Sequence, residues 1–397
     1  MRLVLATNHL GLGGSESYLL TVAEQLDRLG HEVSIYAPEP ANGVQVALDR
    51  GLSVVSEPEL PEGCDAVLAQ DAGVSLQLAD RYPDAPQVFV AHSETFDLQT
   101  PPQLRGVVGK VVALNDRVAA KMGSLAEEVE VVRMTQPIDT ERFASRAPLP
   151  EVPRRVLLLS NTPNSDRLSL LEQACEAADL ELVRVGGLEG QVTDPRDQLA
   201  GADIVVGYGR SILEAMACGR AAYVYDWNGG DGWMTAESYA AIEADGIAGR
   251  SGRTVLDAET LAEDLRRYSP AMGPVNHDLV IGRHRANVHA QELVELFRSL
   301  EAPKGRPREG LQEMARLVRL EWRARAEVHG VGREIAALRR EIEKQRQMLA
   351  DADARAAEAA REHVERAEQV RRSYEDSLSW RLTAPLRRLT HLLRRFR

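Results

Sequence analysis

The feature that most constrains this chain is an alternation of short apolar runs with segments of helical period. Helices are predicted at Ser15–Leu29 and Asn115–Met122. Parallel strands need long crossover connections, which are usually helices, so the alternation predicts a parallel sheet covered on both faces. The predicted strands are Arg2–Ala6, Glu32–Tyr36, Ala66–Ala69, Gln87–Ala91 and Val111–Leu114.

The same alternation restarts after a proline-rich joint at residues 146–153. A long helical segment, Asp278–Leu300, closes this second part. The sequence therefore predicts an α/β protein with two Rossmann-like domains, residues 1–150 and 151–300, that face a cleft. The second set of predicted strands is Val156–Leu159, Leu182–Val185, Ile204–Val206 and Ala222–Tyr225.

Beyond residue 300 the composition changes. Residues 301–310 combine Pro, Gly and charge, which is typical of a linker. An isolated helix over residues 311–376 would need a partner for its apolar seam, so a homo-oligomeric coiled coil is predicted there, with a solitary charged helix as the alternative. The heptad-like seam consists of Leu317, Ala324, Val328, Val331, Ile335, Leu338, Ile342 and Leu349.

The last segment, residues 377–397, contains six arginines and no acidic residue. Leu386, Leu389, Leu393 and Phe396 share one face of a predicted helix that arginines flank. A basic amphipathic helix suits an anionic membrane surface. A partner-protein interface and a solvated end are the alternatives.

Charge and cysteine content exclude several classes of function. Residues 301–397 hold 23 Lys and Arg against 16 Asp and Glu, whereas residues 1–300 hold 25 against 44. Such an acidic body does not favour nucleic acid. Cys64, Cys175 and Cys218 share no metal-ligand spacing and form no disulfide framework. With the first apolar run interpreted as a strand rather than a signal peptide, we expect a cytoplasmic protein held peripherally at the inner membrane face.

Three motifs follow predicted strands. The first, Gly11–Glu16, opens a helix, where glycines allow close approach of a ligand and the first amides favour an anion. A plain tight turn with Ser15 as the helix cap is the alternative.

The second motif is His92, which follows the strand Gln87–Ala91 and has the chemistry to hydrogen-bond a sugar hydroxyl or to transfer a proton. A capping or packing histidine is the alternative.

The third motif carries the most information. Its strand ends at Val206, Gly207, Tyr208 and Gly209 form a turn, and a helix begins near Ser211. The helix N-terminus together with Arg210 predicts a seat for a diphosphate, and Glu214 is placed to accept hydrogen bonds from two ribose hydroxyls. Ser211 and Glu214 also have the spacing of a capping box, which is compatible with that role.

Together these motifs resemble retaining glycosyltransferase family 4, which has the GT-B fold. The segments Gly13–Glu16 and Leu213–Gly219 carry the resemblance, and Leu114–Asp116 and Pro137–Phe143 support it over residues 1–300. The ending Ser379–Leu386 is similar to tails of bacterial cell-surface polysaccharide enzymes. The resemblance implies sugar transfer with retention from a nucleotide sugar to a glycan or lipid-linked acceptor.

The resemblance also implies roles for single residues. Gly13 and Gly14 would border the donor phosphate, Glu16 the acceptor, His92 the transferred sugar, and Glu214 the ribose. No metal or other cofactor is required. Asp231, in the glycine-rich segment Gly229–Trp233, is placed to contact sugar hydroxyls, with a simple turn as the alternative.

Two departures from the family keep other functions open. Val206 stands where the family has a first Glu, and the family's Arg and Lys for the donor diphosphate are missing, so Arg167 and Arg210 are the replacements predicted here. A non-catalytic scaffold on a coiled coil is therefore an alternative. A sugar-nucleotide epimerase is another, with His92 and Asp231 as its acid and base.

Overall fold

The computed structural model describes residues 1–125, 128–144, 147–160, 165–186, 192–226, 228–252 and 256–387. Its first sheet has seven parallel strands in the order β5-β3-β1-β6-β7-β8-β9. The elements are β1 (Arg2–Ala6), β2 (His9–Leu10), α1 (Gly14–Arg28), β3 (Glu32–Tyr36), β4 (Glu39–Pro40), α2 (Gly43–Asp49), β5 (Ser53–Val55), β6 (Ala66–Ala69), α3 (Ala72–Arg81), β7 (Gln87–Ala91), β8 (Lys110–Ala113), α4 (Asp116–Leu125) and β9 (Glu130–Arg133).

Both faces of this sheet are buried, and this explains its continuous apolar runs. Along β1, Leu3 and Leu5 enter one core and Val4 and Ala6 enter the other. Successive side chains of a strand point to opposite faces, so every position of a strand that is covered on both sides must be apolar. The predicted parallel sheet is confirmed, with strand ends within one residue of the predicted ones.

The second sheet has the order β11-β10-β12-β13-β14 and is parallel except for its edge strand β14. Leu157 and Val205 enter one core while Val156 and Val206 enter the other. The elements of this part are β10 (Arg155–Leu159), α5 (Ser165–Ala177), β11 (Glu181–Val185), α6 (Arg196–Ala200), β12 (Ile204–Gly207), α7 (Arg210–Ala217), β13 (Ala221–Asp226), β14 (Gly229–Trp233), α8 (Tyr239–Ala244), α9 (Ala258–Leu265), α10 (Met272–Arg283) and α11 (Ala286–Ser299).

The predicted helix Asp278–Leu300 is wrong as a single element, because it is divided between α10 and α11. Arg285 is extended and pairs with Ile138, while the His284 ring contacts the Gln136 carbonyl at 2.7 Å. Buried residues of α11, among them Leu293 and Phe297, then join a core of the first sheet. The predicted division at residues 150 and 300 thus places α11 with the wrong sheet.

Residues 301–310, predicted to be a linker, are instead anchored to the first unit by the Arg306 side chain. This side chain is buried and donates hydrogen bonds to six backbone carbonyls between Ala79 and Val107. Leu311 and Ala315, on the first turns of the next helix, are buried in a core of the first sheet. The segment predicted to form a coiled coil, residues 311–376, therefore starts too early, because its first turns are packed within the first unit.

The chain forms two compact units, Met1–Trp322 and Arg323–Arg397. The helix α12 (Leu311–Asp376) continues into the second unit, where α13 (Leu378–Leu382) follows it. The seam residues of α12 from Val328 to Leu349 are 45–71 % exposed. Leu389, Leu393 and Phe396, predicted for the basic helix, lie outside the described residues. Within the described ranges, no helix has the length and apolarity needed to cross a bilayer.

Candidate functional site

A pocket of about 230 Å³ lies among loops that follow strands of both sheets. Gly13 and Gly14 line it from the turn before α1, and Gly209, Ser211 and Glu214 line it from the start of α7. Ligands of α/β proteins bind beyond the carboxyl ends of parallel strands, so this is the candidate site. The other lining residues described are Gly11, Leu12, Ser17, Leu20, Thr21, Val46, Arg50, Arg142, Phe143, Leu159, Ser160, Val185, Gly186, Val192, Thr193, Asp194, Pro195, Tyr208 and Arg210.

The first glycine turn leads directly into α1. Gly13, not Ser15, is the cap residue, and no described side chain caps the helix. A Cβ on Gly13 would lie 2.5 Å from Glu16 Oε2, so a larger residue there would displace the Glu16 carboxylate. Glu16 accepts a hydrogen bond from the Ser15 hydroxyl at 2.9 Å and is absent from the described pocket lining. The turn therefore presents backbone amides of α1 to the pocket.

The second turn joins β12 to α7. Gly209 has φ 58°, a left-handed conformation that favours glycine, and its N–H donates to the Ile247 carbonyl. Gly207 lies under the Ser211 hydroxyl, which donates to the Tyr208 carbonyl at 2.8 Å. The capping-box alternative is wrong, because Ser211 lies inside the helix and no side chain caps it.

Arg210 and Glu214 form a buried charge pair in the pocket. Arg210 Nε donates to Glu214 Oε1 at 2.7 Å, while its two terminal nitrogens donate to the Pro137 carbonyl and the Thr21 hydroxyl. Both side chains are about one-tenth exposed. Burial raises the pKa of Glu214, and the charge of Arg210 opposes that rise. Arg210, predicted to bind phosphate, thus has its donors directed at Glu214 and at the α1 side of the pocket.

Two pocket arginines were not predicted. Arg142 is paired with Asp194 at 2.7 Å, and Arg50 lies 3.8 Å from Glu24. Burial, together with the charge of Arg142, lowers the pKa of Arg50 to about 10. Arg142 lies in the segment Pro137–Phe143 that carries part of the family resemblance, so sequence gave a signal for it. Arg50 follows α2 and belongs to no motif.

His92 lies at the end of β7, as predicted, beside the Tyr18 ring at 5.0 Å. Its Nε2 is inaccessible to solvent and has no hydrogen-bond partner among the described residues. Burial and the charge of Arg210 lower its pKa to about 3, so the ring is neutral at physiological pH. A neutral imidazole with an unused nitrogen is suited to hydrogen bonding rather than to proton storage.

Next to His92 lies a buried polar cluster that the sequence analysis missed. Thr7 and Asn8 follow β1, Gln70 and Asp71 follow β6, and these strands are adjacent to each other. Asp71 Oδ2 accepts hydrogen bonds from the Thr7 hydroxyl and from the backbone N–H of Asn8, at 2.9 and 2.6 Å. The side-chain amides of Asn8 and Gln70 and the second oxygen of Asp71 have no hydrogen-bond partner among the described residues. Two polar residues directly after a buried strand were the available signal.

Asp71 gives this cluster a defined pH dependence. Burial raises its pKa to about 6, above the unfolded value of about 3.9. Between about pH 4 and pH 6 the unfolded chain has lost this proton while the folded protein keeps it, so stability falls as pH rises.

Asp71→Asn is therefore expected to gain stability relative to wild type from pH 4 to pH 7, by up to about 3 kcal/mol. Urea unfolding of both proteins at pH 4, 5, 6 and 7 measures the difference. A difference that stays constant over this range would contradict the raised pKa of Asp71.

Asp231 and Arg167 lie elsewhere among the described residues. Asp231 Oδ1 accepts a hydrogen bond from the Gly252 amide at 2.6 Å, which matches the turn alternative. Arg167, on α5, lies close enough to Tyr225 to lower the pKa of its hydroxyl, which burial raises. Neither residue, nor His92, is part of the described pocket lining. The pocket thus unites Gly13, Gly14 and the Gly209–Glu214 segment but not these three predicted site residues.

No protein-family model matches the sequence. A search of curated proteins finds no significant match either. Solved structures do resemble the chain. HepE of Anabaena, in complex with UDP and glucose, has a TM-score of 0.54 at 14 % identity, covering 76 % of this chain and 100 % of HepE.

Two further structures resemble the chain to a similar degree. A glycosyltransferase of Rickettsia africae has a TM-score of 0.52 at 14 % identity, covering 75 % of this chain and 97 % of its own. An alpha-glucosyltransferase in complex with UDP and a 13-mer DNA has a TM-score of 0.55 at 9 % identity, covering 75 % and 100 %. At such identities the likeness is one of fold: this chain has the α/β fold of GT-B glycosyltransferases.

Proposed function

We propose that this chain is a glycosyltransferase of the retaining family 4 type. It transfers a sugar from a nucleotide-sugar donor to a glycan or lipid-linked acceptor in bacterial cell-surface polysaccharide assembly. The observation that carries the proposal is the buried Glu214 carboxylate, one turn into an uncapped helix whose first residues line the pocket. HepE, of the same fold, was crystallised with UDP-glucose, which supports a nucleotide sugar as the ligand.

In this proposal the α7 end of the pocket binds the nucleotide. Ribose hydroxyls donate to Glu214, whose charge and orientation Arg210 maintains through the 2.7 Å bond. The amides at the start of α7 stabilise the negative charge that develops on the departing diphosphate. No metal is invoked for this step.

In this proposal, residues from the first-sheet part of the chain contact the transferred sugar and the acceptor. His92, neutral at physiological pH, hydrogen-bonds the transferred sugar in this proposal, and this role rests on the family resemblance. Such a bond strengthens where positive charge builds on the sugar ring in an oxocarbenium-like transition state. The acceptor enters past Glu16, and this role for Glu16 rests on the family resemblance.

Turnover with a panel of UDP-, GDP-, ADP- and dTDP-sugars tests the proposal. We expect release of nucleoside diphosphate from one donor class, at a rate that rises when acceptor is added and falls in His92→Ala. Donor binding without turnover, unaffected by His92→Ala, would instead favour a non-catalytic scaffold. Interconversion of two nucleotide sugars without release of the nucleotide would identify an epimerase.

We further propose that the second unit forms a homo-oligomeric coiled coil through α12. Exposed apolar residues at heptad spacing, from Val328 to Leu349, support it. Ile335→Lys combined with Leu338→Lys is expected to convert an oligomer into a monomer, as measured by light scattering. Gln347→Lys, off the seam, is the matched control. A monomeric wild type, or an oligomer that survives the double substitution, would contradict the coiled coil.

The same unit is proposed to bind an anionic membrane surface through residues 377–397. Leu378, Leu382 and Leu386 are exposed, and the Arg387 guanidinium stacks 3.5 Å from the Trp380 ring centre. Co-sedimentation with anionic vesicles is expected to be lost when residues 377–397 are removed and to weaken with salt. Equal sedimentation of both proteins would exclude this anchor.

A further inference from the structure

The pocket needs positive charge if it binds a diphosphate, and the second sheet supplies little of it. Arg167 lies outside the described lining, and Arg210 is bonded to Glu214. The described lining holds two more arginines, Arg50 and Arg142. Arg50 follows α2, which packs in a core of the first sheet, whereas Arg142 adjoins Phe143 of a second-sheet core and pairs with Asp194. Arg50 therefore brings charge to the pocket from the first-sheet side.

Arg50 is held in the pocket with unused hydrogen-bonding capacity. Its side chain is 12 % exposed, and its Nε is buried with no described partner. The nearest carboxylate oxygen, Glu24 Oε2, is 3.8 Å away, and that oxygen accepts no hydrogen bond from a described residue. A buried guanidinium N–H normally has a partner, and Arg50 is poorly partnered. Since its Nε is shielded from solvent, a ligand in the pocket would meet the terminal N–H groups of Arg50.

The carboxylates around these arginines are shared with other cations. Glu24 is bonded by Arg28 at 2.6 Å, so it only partly compensates Arg50. Asp194, which pairs with Arg142, is also bonded by Arg196 at 2.7 Å. Burial, together with the nearby charge of Arg142, lowers the pKa of Arg50, while Glu24 only partly opposes this effect. An anion beside Arg50 would stabilise its charged form.

We propose that Arg50, on the first-sheet side of the pocket, binds the diphosphate of the nucleotide-sugar donor, assisted by Arg142. This inference rests on the proposed function, and it assigns to these two arginines the part of the diphosphate-binding cations that the second sheet lacks. A planar guanidinium that meets phosphate oxygens with two N–H groups gives geometry as well as charge. Arg50 then contributes affinity for the phosphates and none for the nucleoside.

Calorimetric titration of the full chain with UDP, UMP and uridine, and with GDP, GMP and guanosine, separates these contributions. Arg50→Gln is expected to weaken nucleoside diphosphate binding about 10- to 100-fold and to leave nucleoside binding unchanged. Arg50→Lys keeps the positive charge but not the paired N–H groups of the guanidinium, so it is expected to lose less affinity for the nucleoside diphosphate than Arg50→Gln does. Arg184→Gln is the matched control, because Arg184 is an exposed arginine that pairs with Glu172 outside the described lining, so this variant should bind as wild type does.

The outcomes distinguish this inference from the proposed function. If wild type and Arg50→Gln bind the diphosphate equally, or if Arg50→Gln weakens nucleoside and diphosphate alike, the role of Arg50 is wrong while the nucleotide site stands. An effect of Arg50→Gln on the acceptor KM alone would place an acceptor phosphate there and also overturn the inference. If wild type binds no nucleotide, both fail. Should Arg50→Gln not fold, Arg50→Lys and Arg142→Lys give the same comparison.

Discussion

Glu214→Ala is expected to weaken nucleotide-sugar binding and turnover roughly 10²- to 10⁴-fold. Two ribose hydroxyls lose a charged acceptor, and each such hydrogen bond contributes about 1.5–3 kcal/mol. The same change leaves Arg210 without the carboxylate that it bonds at 2.7 Å, which costs stability as well. Calorimetry with nucleoside diphosphates and turnover of the donor measure the first effect, and thermal unfolding measures the second.

A double variant separates the two effects. Arg210→Met combined with Glu214→Ala removes both buried charges, so it should recover most of the stability that Glu214→Ala loses, about 3 kcal/mol. It should not recover nucleotide binding, because the ribose still lacks its acceptor. If the double variant binds nucleotide as wild type does, Glu214 has only a structural role and the proposed ribose contact is excluded.

Arg306→Met is expected to destabilise the first unit by about 4 kcal/mol. The guanidinium donates to the carbonyls of Gly106, Tyr82, Pro83 and Ala85 at 2.7–3.1 Å, and to two others at 3.4 Å. Methionine fills similar space but removes all of these donors, and each carbonyl left without a partner costs about 1–3 kcal/mol. The Tyr82 carbonyl keeps the hydrogen bond from the Ala85 N–H. Amide hydrogen exchange in β7 and β8 measures the loss locally.

Arg308→Met is the matched control for this prediction. Arg308 is two residues away, has a side chain that is 72 % exposed, and lies 3.7 Å from an exposed Asp84. Its substitution should change stability by less than about 0.5 kcal/mol. Equal effects of the two substitutions would mean that residues 301–310 behave as the linker that their composition predicts.

The sheets were predictable because burial on both faces leaves a local signature. Strands such as β1 and β12 must be apolar at every position, and such runs are visible in sequence alone. The break between α10 and α11 was not predictable in this way. It depends on pairing of Arg285 with Ile138, nearly 150 residues earlier, and helical periodicity carries no information on such a contact.

The anchoring of residues 301–310 was likewise not predictable from the sequence. Composition marks residues 301–310 as a linker, and the burial of Arg306 arises only from carbonyls that converge at the end of α3 and before β8. An arginine in a Pro- and Gly-rich stretch gives no sign of such partners. The heptad seam likewise predicted a helix correctly but not that its first turns are packed in the first unit.

In the candidate site, glycine turns were predictable and charge partners were not. Gly209 is required by its left-handed backbone conformation, which the glycine motif indicates. The bonds of Arg210 to Glu214 and to Thr21, and the position of Arg50, depend on how distant segments meet. Sequence therefore identified the helix entrance correctly but could not say which cations remain available to a ligand.

A crystal structure of the full chain with a bound nucleoside diphosphate tests the central claim most directly. We predict ribose hydroxyls within about 3 Å of the Glu214 carboxylate and a diphosphate at the first amides of α7. A nucleotide bound away from Gly209–Glu214, or a pocket that remains empty at saturating nucleotide, would contradict the assignment of this pocket to a nucleotide-sugar donor.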